Sequence, residues 1–221
     1  MNFAKGTVKS SPYVGVFAST TDEICLIPHS ILPKEHKQLE TELDTKTLKV
    51  NLGGTSLLGV LARGIGKKIA ITGIAEKQEI NILEKEGLEI MVLEDYSSAG
   101  NLIAMNKNGG IVSPLIADKN VKKLETFFDI KFHKIGIAGL DVPGSCVTVT
   151  NKGFICHPNT SEEEFTKLEK IFKVKGMATT SNYGDLFVSN SVVANTKGVI
   201  AGANTSGIEL GKIDEGLRGE E

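Results

Sequence analysis

The sequence predicts an α/β fold in which five units of about 44 residues close into a fivefold pseudosymmetric α/β propeller. The first observation is a repeated phrase: NKGFICHPNTSEEEF at 151–165 and NTKGVIAGANTSGI at 195–208 share Lys-Gly, two apolar residues, three variable positions and Asn-Thr-Ser. The second is a set of glycine, proline and apolar residues that recurs at an offset of 44. The third is the length of 221 residues, which holds about five such units.

Each unit is expected to run in the order strand, glycine turn, strand, helix, strand. A unit of this size cannot cover its own apolar strands, so neighbouring units must pack together. A closed ring also shields the sheet edges, and no unit has the polar surface of an end cap. We therefore expect inner strands and outer helices within a single domain over 1–221. The expected units are 11–54, 55–95, 96–139, 140–182 and 183–221.

The first two units follow the repeat faintly. In the first, the apolar run ICLI precedes Pro28, which lies 86 residues before Pro114. In the second, Gly66 lies 43 residues before Gly109, and the run KKIAIT follows it. Apolar residues within 76–86 then indicate a helix.

The third and fourth units match each other most closely. Ser161 is a candidate helix N-cap with Glu164 at the capping-box spacing, and an apolar helical face follows. The same apolar spacing occurs 44 residues earlier, behind a candidate cap at Asp118. The sequence therefore predicts equivalent helices in both units. Other pairs at this offset are Gly100 and Gly144, Gly109 and Gly153, Ile111 and Ile155, and Pro114 and Pro158.

The fifth unit keeps the front half of the repeat, with Gly198 placed 45 residues after Gly153. Its tail contains Gly207, Gly211 and Gly216, and glycine weakens a helix interior. We therefore predict that the fifth unit has the least regular helix.

Composition excludes several classes of function. A formal charge of −2 with 24% charged residues gives no bulk attraction to polyanions, and no segment has the length of a membrane span. The N-terminal segment lacks the apolar run of a signal peptide, so we predict a cytoplasmic chain. The three cysteines and four histidines lack the spacings of a disulfide framework or a zinc site. Neither a metal nor another cofactor is expected.

Several long phrases resemble one known family. They are GNLIAMNKNGGIVSPLI, NKGFICHPNTSEEE, SNSVVANTKGVIAGANTSGIELGKIDEGL and the opening YVGVFASTTDEICLIP. Together they resemble the translation initiation factor 6 family, and the length is similar to that of its archaeal branch. The second unit, RGIGKKIAITG, departs from the pattern because it lacks the proline of the other repeats.

The resemblance implies the pentein fold, a ring of five repeats, which agrees with the repeat count. It implies a non-catalytic factor, without a cofactor, that binds the large (50S) ribosomal subunit and sterically prevents association with the small subunit. The implied partners are ribosomal proteins at the joining surface and rRNA near the sarcin–ricin loop. We expect a monomer, because a closed ring needs no partner for stability.

The alternative is an enzyme, because the same ring fold hosts enzymes that modify guanidino groups with a nucleophilic cysteine. Such chemistry needs a thiolate with a base in reach. Cys156 and His157 are adjacent in an apolar run, and adjacent strand residues point to opposite faces. We predict that Cys156 is a buried strand residue and His157 a partly exposed strand end. No cysteine follows Cys156, which argues against catalysis.

Three further motifs have simple structural interpretations. Gly64–Lys68 lacks the spacing of a phosphate-binding loop and coincides with the repeat's turn. Asn51–Thr55 contains two glycines, which allow a linker with positive φ. Lys119–Lys123 lies on the predicted polar side of the third helix, with a contact to ribosomal RNA as the alternative.

The candidate binding residues lie in segments that open the repeats, because loops on a rigid scaffold are common recognition sites. By the resemblance, this rim and the C-terminal part of the chain meet the large subunit. Polar or amphipathic side chains that vary between repeats are not demanded by the shared fold. The candidates are Gly59, Val60, Gly100, Asn101, Gly144, Ser145, Asn182, Tyr183, Gly184 and Asp185.

Overall fold

The computed structural model describes residues 1–219 and contains five separate three-stranded sheets arranged around one axis. Each repeat runs in the order short helix, inner strand, middle strand, outer helix and outer strand. The predicted α/β architecture with inner strands and outer helices is confirmed. The sheets are individually open and do not join into a barrel.

The short helices are α1 (Val14–Phe17), α3 (Leu58–Leu61), α5 (Ala99–Leu102), α7 (Pro143–Cys146) and α9 (Val188–Ser191). The inner strands are β2 (Ser19–Thr20), β5 (Ala62–Ile65), β8 (Ile103–Asn106), β11 (Val147–Val149) and β14 (Val192–Ala194). The middle strands are β3 (Ile24–Ile27), β6 (Lys68–Thr72), β9 (Gly109–Val112), β12 (Phe154–Cys156) and β15 (Gly198–Gly202). The outer helices are α2 (Pro33–Leu43), α4 (Lys77–Lys85), α6 (Asp118–Phe128), α8 (Glu162–Phe172) and α10 (Gly207–Arg218). The outer strands are β4 (Lys46–Lys49), β7 (Glu89–Leu93), β10 (Phe132–Lys134), β13 (Gly176–Ala178) and β1 (Asn2–Gly6).

Every middle strand pairs with an antiparallel inner strand and a parallel outer strand. In the fourth sheet, for example, Cys156 is opposite Val147 on one side and Ala178 on the other. The parallel pair within one unit needs a crossover, which the outer helix supplies. This topology puts the ends of the middle and outer strands at the same end of the ring.

The N-terminal strand completes the last sheet. β1 pairs in parallel with β15, from Asn2 opposite Gly198 to Gly6 opposite Gly202. The expected unit boundaries began at residue 11 and assigned no role to this strand. The pairing joins the first and last parts of the chain, so it helps to close the ring without a covalent link.

Five clusters of buried apolar side chains fill the spaces between neighbouring units. One cluster joins Leu26 of the first unit to Leu58 and Leu83 of the second. Another joins Val14 of the first unit to Ile200 of the fifth. Each unit thus buries its apolar surface against its neighbours, as expected for repeats that cannot fold alone.

The short helices contact one another in sequence around the axis, and α9 contacts α1. Their backbones approach so closely that four of the five units need glycine at the contact. A Cβ atom on Gly59 would lie 1.7 Å from the Gly15 carbonyl oxygen, and one on Gly100 would lie 2.0 Å from the Gly59 oxygen. Gly15 and Gly144 meet the same obstruction, and the fifth unit has Ser189. The recurring glycine is therefore a packing requirement at the ring centre.

Helix α8 confirms the predicted capping box. The Ser161 hydroxyl accepts a hydrogen bond from the Glu164 backbone N–H, and the Glu164 carboxylate accepts one from the Ser161 N–H. In α6 the N-cap is Ala117, one residue before the predicted Asp118. Both helices span 11 residues, as the shared apolar spacing indicated.

The prediction of an irregular fifth helix was wrong, because α10 is a continuous helix of 12 residues. Ile213 and Leu217 are fully buried, and this tertiary packing offsets the low helix propensity of glycine. Gly207 and Gly211 face open space. Gly216 instead allows a close approach to the fourth sheet, where an added Cβ would lie 2.8 Å from side-chain atoms.

Three smaller predictions are confirmed. Gly66 has a φ of +56° in the turn between β5 and β6, so this glycine-lysine segment is a turn. Gly53 and Gly54 have the positive φ angles expected of the 51–55 linker. The lysines within 119–123 lie on the exposed side of α6. Within residues 1–219, no helix has the length and apolar character needed to cross a membrane.

Candidate recognition face

One end of the ring carries most of the exposed large apolar side chains. We call it the connection face: the short helices, the segments that lead into them from the outer strands, the segments that join the middle strands to the outer helices, and the first turn of each outer helix. Nine large apolar side chains are exposed among residues 1–219, and eight lie on this face. The ninth, Ile82, lies on α4. The eight are Tyr13, Leu32, Leu57, Ile74, Leu115, Tyr183, Leu186 and Ile208.

Apolar side chains gathered at one end of a molecule are typical of an interaction surface. The other end of the ring has a different kind of connection between its strands. There the inner and middle strands are joined by short hairpin turns of polar residues such as Lys107, Asn108 and Lys152. The connection face is therefore the stronger candidate for recognition of another macromolecule.

Tight turns shape the connection face where outer strands lead into short helices. Four of these segments contain a turn closed by a pair of backbone hydrogen bonds and contain residues in the left-handed region. These conformations are typical of tight hairpin turns. The bridged pairs are Val8 and Ser11, Leu52 and Thr55, Ile137 and Leu140, and Ser181 and Asp185.

A buried carboxylate holds the last of these turns. Glu209, in the first turn of α10, accepts hydrogen bonds from the backbone N–H groups of Tyr183 at 3.1 Å and Gly184 at 2.8 Å. It also accepts one from the Thr180 hydroxyl at 2.7 Å and one from the Ser206 N–H at 2.7 Å. Burial raises the pKa of Glu209, but these hydrogen bonds outweigh burial and lower its pKa to about 2.

The same device recurs in three other units. Glu35 accepts hydrogen bonds from the Lys9 and Ser10 N–H groups, both at 2.8 Å. Glu79 accepts from Gly53 and Gly54, and Glu164 accepts from Ala138. The third unit has Asn120, which donates to Asp95 instead. In four of the five units, a single glutamate thus caps an outer helix and holds a neighbouring turn of the connection face.

Glu209→Gln is expected to remove part of the acid-dependent stability. The folded-state pKa of about 2 lies below the ordinary 4.5, so this carboxylate contributes stability that is present above about pH 4.5 and is lost as the pH falls towards 2. We expect a loss of about 2 kcal/mol at pH 7 and a flatter dependence of Tm on pH between those values. Thermal unfolding from pH 2 to pH 7 measures both. The exposed Glu162→Gln is the control, and equal profiles for the two variants would contradict the role of Glu209.

Tyr183 is the most prominent side chain of the face. It is 85% exposed and has a φ of +66°, a conformation that is strained for an aromatic residue. Strain of this kind persists only where the surroundings enforce it, and it concentrates at functional sites. Here Glu209 enforces it through the Tyr183 N–H. The arrangement presents an aromatic ring to solvent at a fixed place.

The other predicted residues of this turn hold the turn in position. The Asn182 amide donates to the Pro12 carbonyl and to the Ser191 hydroxyl, each at 2.8 Å. The Asp185 carboxylate accepts from the same hydroxyl at 2.9 Å. Gly184 adopts a φ of +105°. Asn182 and Asp185 therefore position the turn, while Tyr183 provides its contact surface.

The sequence-based interpretation assumed that the predicted segments that open the repeats are equivalent. In the structure they are not equivalent. Gly59, Gly100 and Gly144 lie in helices rather than loops and are buried against neighbouring backbones. Ser145 is 7% exposed. These four residues pack the ring centre and present almost no surface. The interpretation was wrong because the close approach of five backbones is a property of the assembled ring.

Val60 and Asn101 are half-buried on α3 and α5 and do reach the surface of the connection face. The segment 182–185 belongs to the turn before α9, so the fifth-unit equivalent of Asn101 is Asn190. Sequence reasoning also missed Tyr13 and Leu57, which directly precede short helices. The signal was available as an apolar residue just before four of the five short helices, where a polar cap is usual.

The cysteines lack the properties of nucleophiles. Cys156 is fully buried in β12, as predicted, and burial raises the pKa of its thiol to about 11. Burial likewise raises the pKa values of Cys25 and Cys146 to about 12. These thiols are protonated at neutral pH, whereas cysteine catalysis needs a thiolate.

His157 is buried, which corrects the prediction of a partly exposed strand end. Its Nδ1 atom accepts a hydrogen bond from the Asn159 N–H at 3.1 Å, and its ring packs edge-on against Phe187. Burial lowers the pKa of His157. The sequence pattern could not show this because Phe187 comes from the next unit. A buried histidine with this packing is a structural residue.

The comparisons with known proteins agree with this description. The model of the eIF-6 family matches residues 3–216. "Translation initiation factor 6" of Pyrococcus horikoshii is 31% identical over 98% of this chain and 99% of its own length. The protein of the same name from Methanocaldococcus jannaschii is 33% identical over 93% of each chain.

Among solved structures, the N-terminal domain of ArgZ, an arginine dihydrolase from cyanobacteria, has a TM-score of 0.51. The match covers 72% of this chain and 66% of that domain at 10% sequence identity. At this identity, the likeness shows the fold alone. That shared architecture is the pentein fold predicted from the sequence. With the family match over nearly the whole chain and the archaeal relatives, this chain belongs to the eIF-6 family of translation initiation factors.

Proposed function

We propose that this translation initiation factor binds the large ribosomal subunit through its connection face and sterically prevents association with the small subunit. The observation that carries the proposal is the concentration of eight exposed apolar side chains on one end of the ring. Family membership supports a role in translation, and the raised pKa values of the thiols support binding rather than catalysis.

Steric occlusion needs only a preformed surface of sufficient area. A specific protein interface buries at least about 1,000 Å² in total, and one end of a five-unit ring can supply it. Because the glutamates hold the turns in place, little conformational entropy is lost on binding. Tyr183 and Tyr13 are suitable anchors, since aromatic residues dominate the energetics of most interfaces.

The proposed partners are ribosomal proteins at the joining surface and rRNA near the sarcin–ricin loop. We further propose that the chain acts as a cytoplasmic monomer and that the ring over 1–221 is a single domain. No step of this mechanism uses a cofactor, because occlusion changes no covalent bond.

Sedimentation of archaeal ribosomal subunits tests the proposal. We expect the purified protein to co-sediment with 50S subunits but not with 30S subunits, and to lower the yield of 70S particles with a limit near one protein per 50S subunit. Undiminished 70S assembly at saturating protein would contradict it. The enzyme alternative would be favoured instead if the protein hydrolysed arginine or agmatine and Cys156→Ala abolished that turnover.

A further inference from the structure

A small cavity lies on the ring axis, surrounded by the inner strands of the five units. Its volume is about 30 Å³, which is room for one or two water-sized species. Most of the surface that faces it is polar, from backbone and side-chain atoms together. The polar side chains that line it are Ser19, Thr20, Arg63, Thr148 and Ser189.

Arg63 brings a positive charge to this cavity. Its Nη2 atom donates to the carbonyl oxygens of Gly100 at 2.9 Å and Gly144 at 3.2 Å, and to the Ser189 hydroxyl at 3.3 Å. Its Nε atom is buried without a hydrogen-bond partner. None of the ion pairs among residues 1–219 involves Arg63. The carbonyl oxygens bear only partial charges, so the guanidinium charge lacks a counter-ion.

Burial lowers the pKa of Arg63 to about 10, which leaves the guanidinium protonated at neutral pH. Arg63 as a whole is half-buried, but its Nε atom is fully buried, and a charge withdrawn from water without a partner is costly. The three hydrogen bonds hold the side chain between the third, fourth and fifth units, but they do not neutralise it.

A second unsatisfied donor lines the same cavity. The Thr148 hydroxyl, from the fourth unit, is buried without a hydrogen-bond partner. By contrast, the Ser19 and Thr20 hydroxyls donate to the backbone oxygens of Ala62 and Thr21, each at 3.0 Å. The two fully buried donors of this wall that lack an acceptor are therefore the Arg63 Nε–H and the Thr148 hydroxyl.

We propose that this cavity binds one small monovalent anion of halide size, held by the Arg63 guanidinium and the Thr148 hydroxyl. An anion accepts hydrogen bonds from both donors and also neutralises the guanidinium charge, whereas a water molecule only accepts the hydrogen bonds. The small volume of the cavity favours a small anion. Because Arg63 belongs to the second unit and Thr148 to the fourth, the ion joins opposite sides of the ring and stabilises its closure.

Thermal unfolding at constant ionic strength tests the site with chloride as the probe. Chloride is exchanged for gluconate, which is too large to enter. We expect the wild-type Tm to rise by about 2 °C or more with chloride, and the rise to disappear in Thr148→Val and Arg63→Met. Thr148→Val removes an unsatisfied hydroxyl at nearly constant volume, so in gluconate it should unfold no earlier than the wild type. A chloride dependence that is absent from the wild type, or unchanged in Thr148→Val, overturns the proposal.

Crystals of the wild-type protein grown in bromide give an independent test that needs no variant. We expect one anomalous peak on the ring axis, within hydrogen-bond distance of Arg63 Nε and Thr148 Oγ1. Density for water alone at this position, without an anomalous peak, overturns the proposal. This result is independent of ribosome binding, because neither residue lies on the connection face.

Discussion

Gly59→Ala is expected to destabilise the ring by at least about 3 kcal/mol, with a fall in Tm of roughly 6 to 12 °C. The added Cβ would lie 1.7 Å from the Gly15 carbonyl oxygen and 2.8 Å from the Ala18 carbonyl oxygen. Both obstructing atoms belong to the backbone of the neighbouring unit, so no side-chain rotation relieves the clash. Separation of α1 from α3 would then disturb the whole ring, because each short helix contacts the next. Thermal and guanidinium unfolding measure the effect.

Gly211→Ala is the matched control for this substitution. Gly211 is exposed within α10, and an added Cβ there meets open space. Alanine has the higher helix propensity, so this variant should be more stable than the wild type by about 0.5 to 1 kcal/mol. If Gly59→Ala proved as stable as the wild type, the close contact of the five backbones would be refuted.

Tyr183→Ala combined with Asn101→Arg is expected to weaken binding to the large subunit at least tenfold, or by about 1.4 kcal/mol. Tyr183 is 85% exposed, so its removal costs contact area with a partner and little packing within the ring. Asn101 reaches the surface on α5, and its side chain makes no hydrogen bond to residues 1–219. An arginine at this position adds bulk and charge near the centre of the face. Co-sedimentation with 50S subunits across a titration measures the affinity.

Ile82→Ala controls for the loss of an exposed apolar side chain. Ile82 is 40% exposed on α4, outside the connection face, and its variant should bind like the wild type. The Tm of the double variant should stay close to the wild-type value, which separates a loss of contact from a loss of fold. Equal binding of the double variant and the wild type would exclude the connection face. The outer helices or the hairpin-turn end would then become the candidate surfaces.

Much of the fold could be predicted from the sequence because the repeat is visible as local patterns of residues. Gly100 and Gly144 lie 44 residues apart, and both mark the close backbone contact between neighbouring short helices. The Ser161 and Glu164 spacing fixed the start of α8, since a capping box involves only neighbouring residues. The apolar run around Cys156 correctly predicted a buried strand residue. Each of these features depends on residues close together in the chain.

Only the tertiary structure decided features that join distant residues. The pairing of β1 with β15 brings residue 2 beside residue 198, and no local pattern shows that the first strand belongs to the last unit. Packing between distant residues also explains α10, whose stability comes from burial of Ile213 and Leu217. It likewise explains His157, which the next unit covers. Tyr183 was identified from the sequence, but the glutamate that fixes it lies 26 residues away. The environment of Arg63 depends on three other units at once, because the closed ring brings Ser189 to Arg63 although 126 positions separate them in the chain.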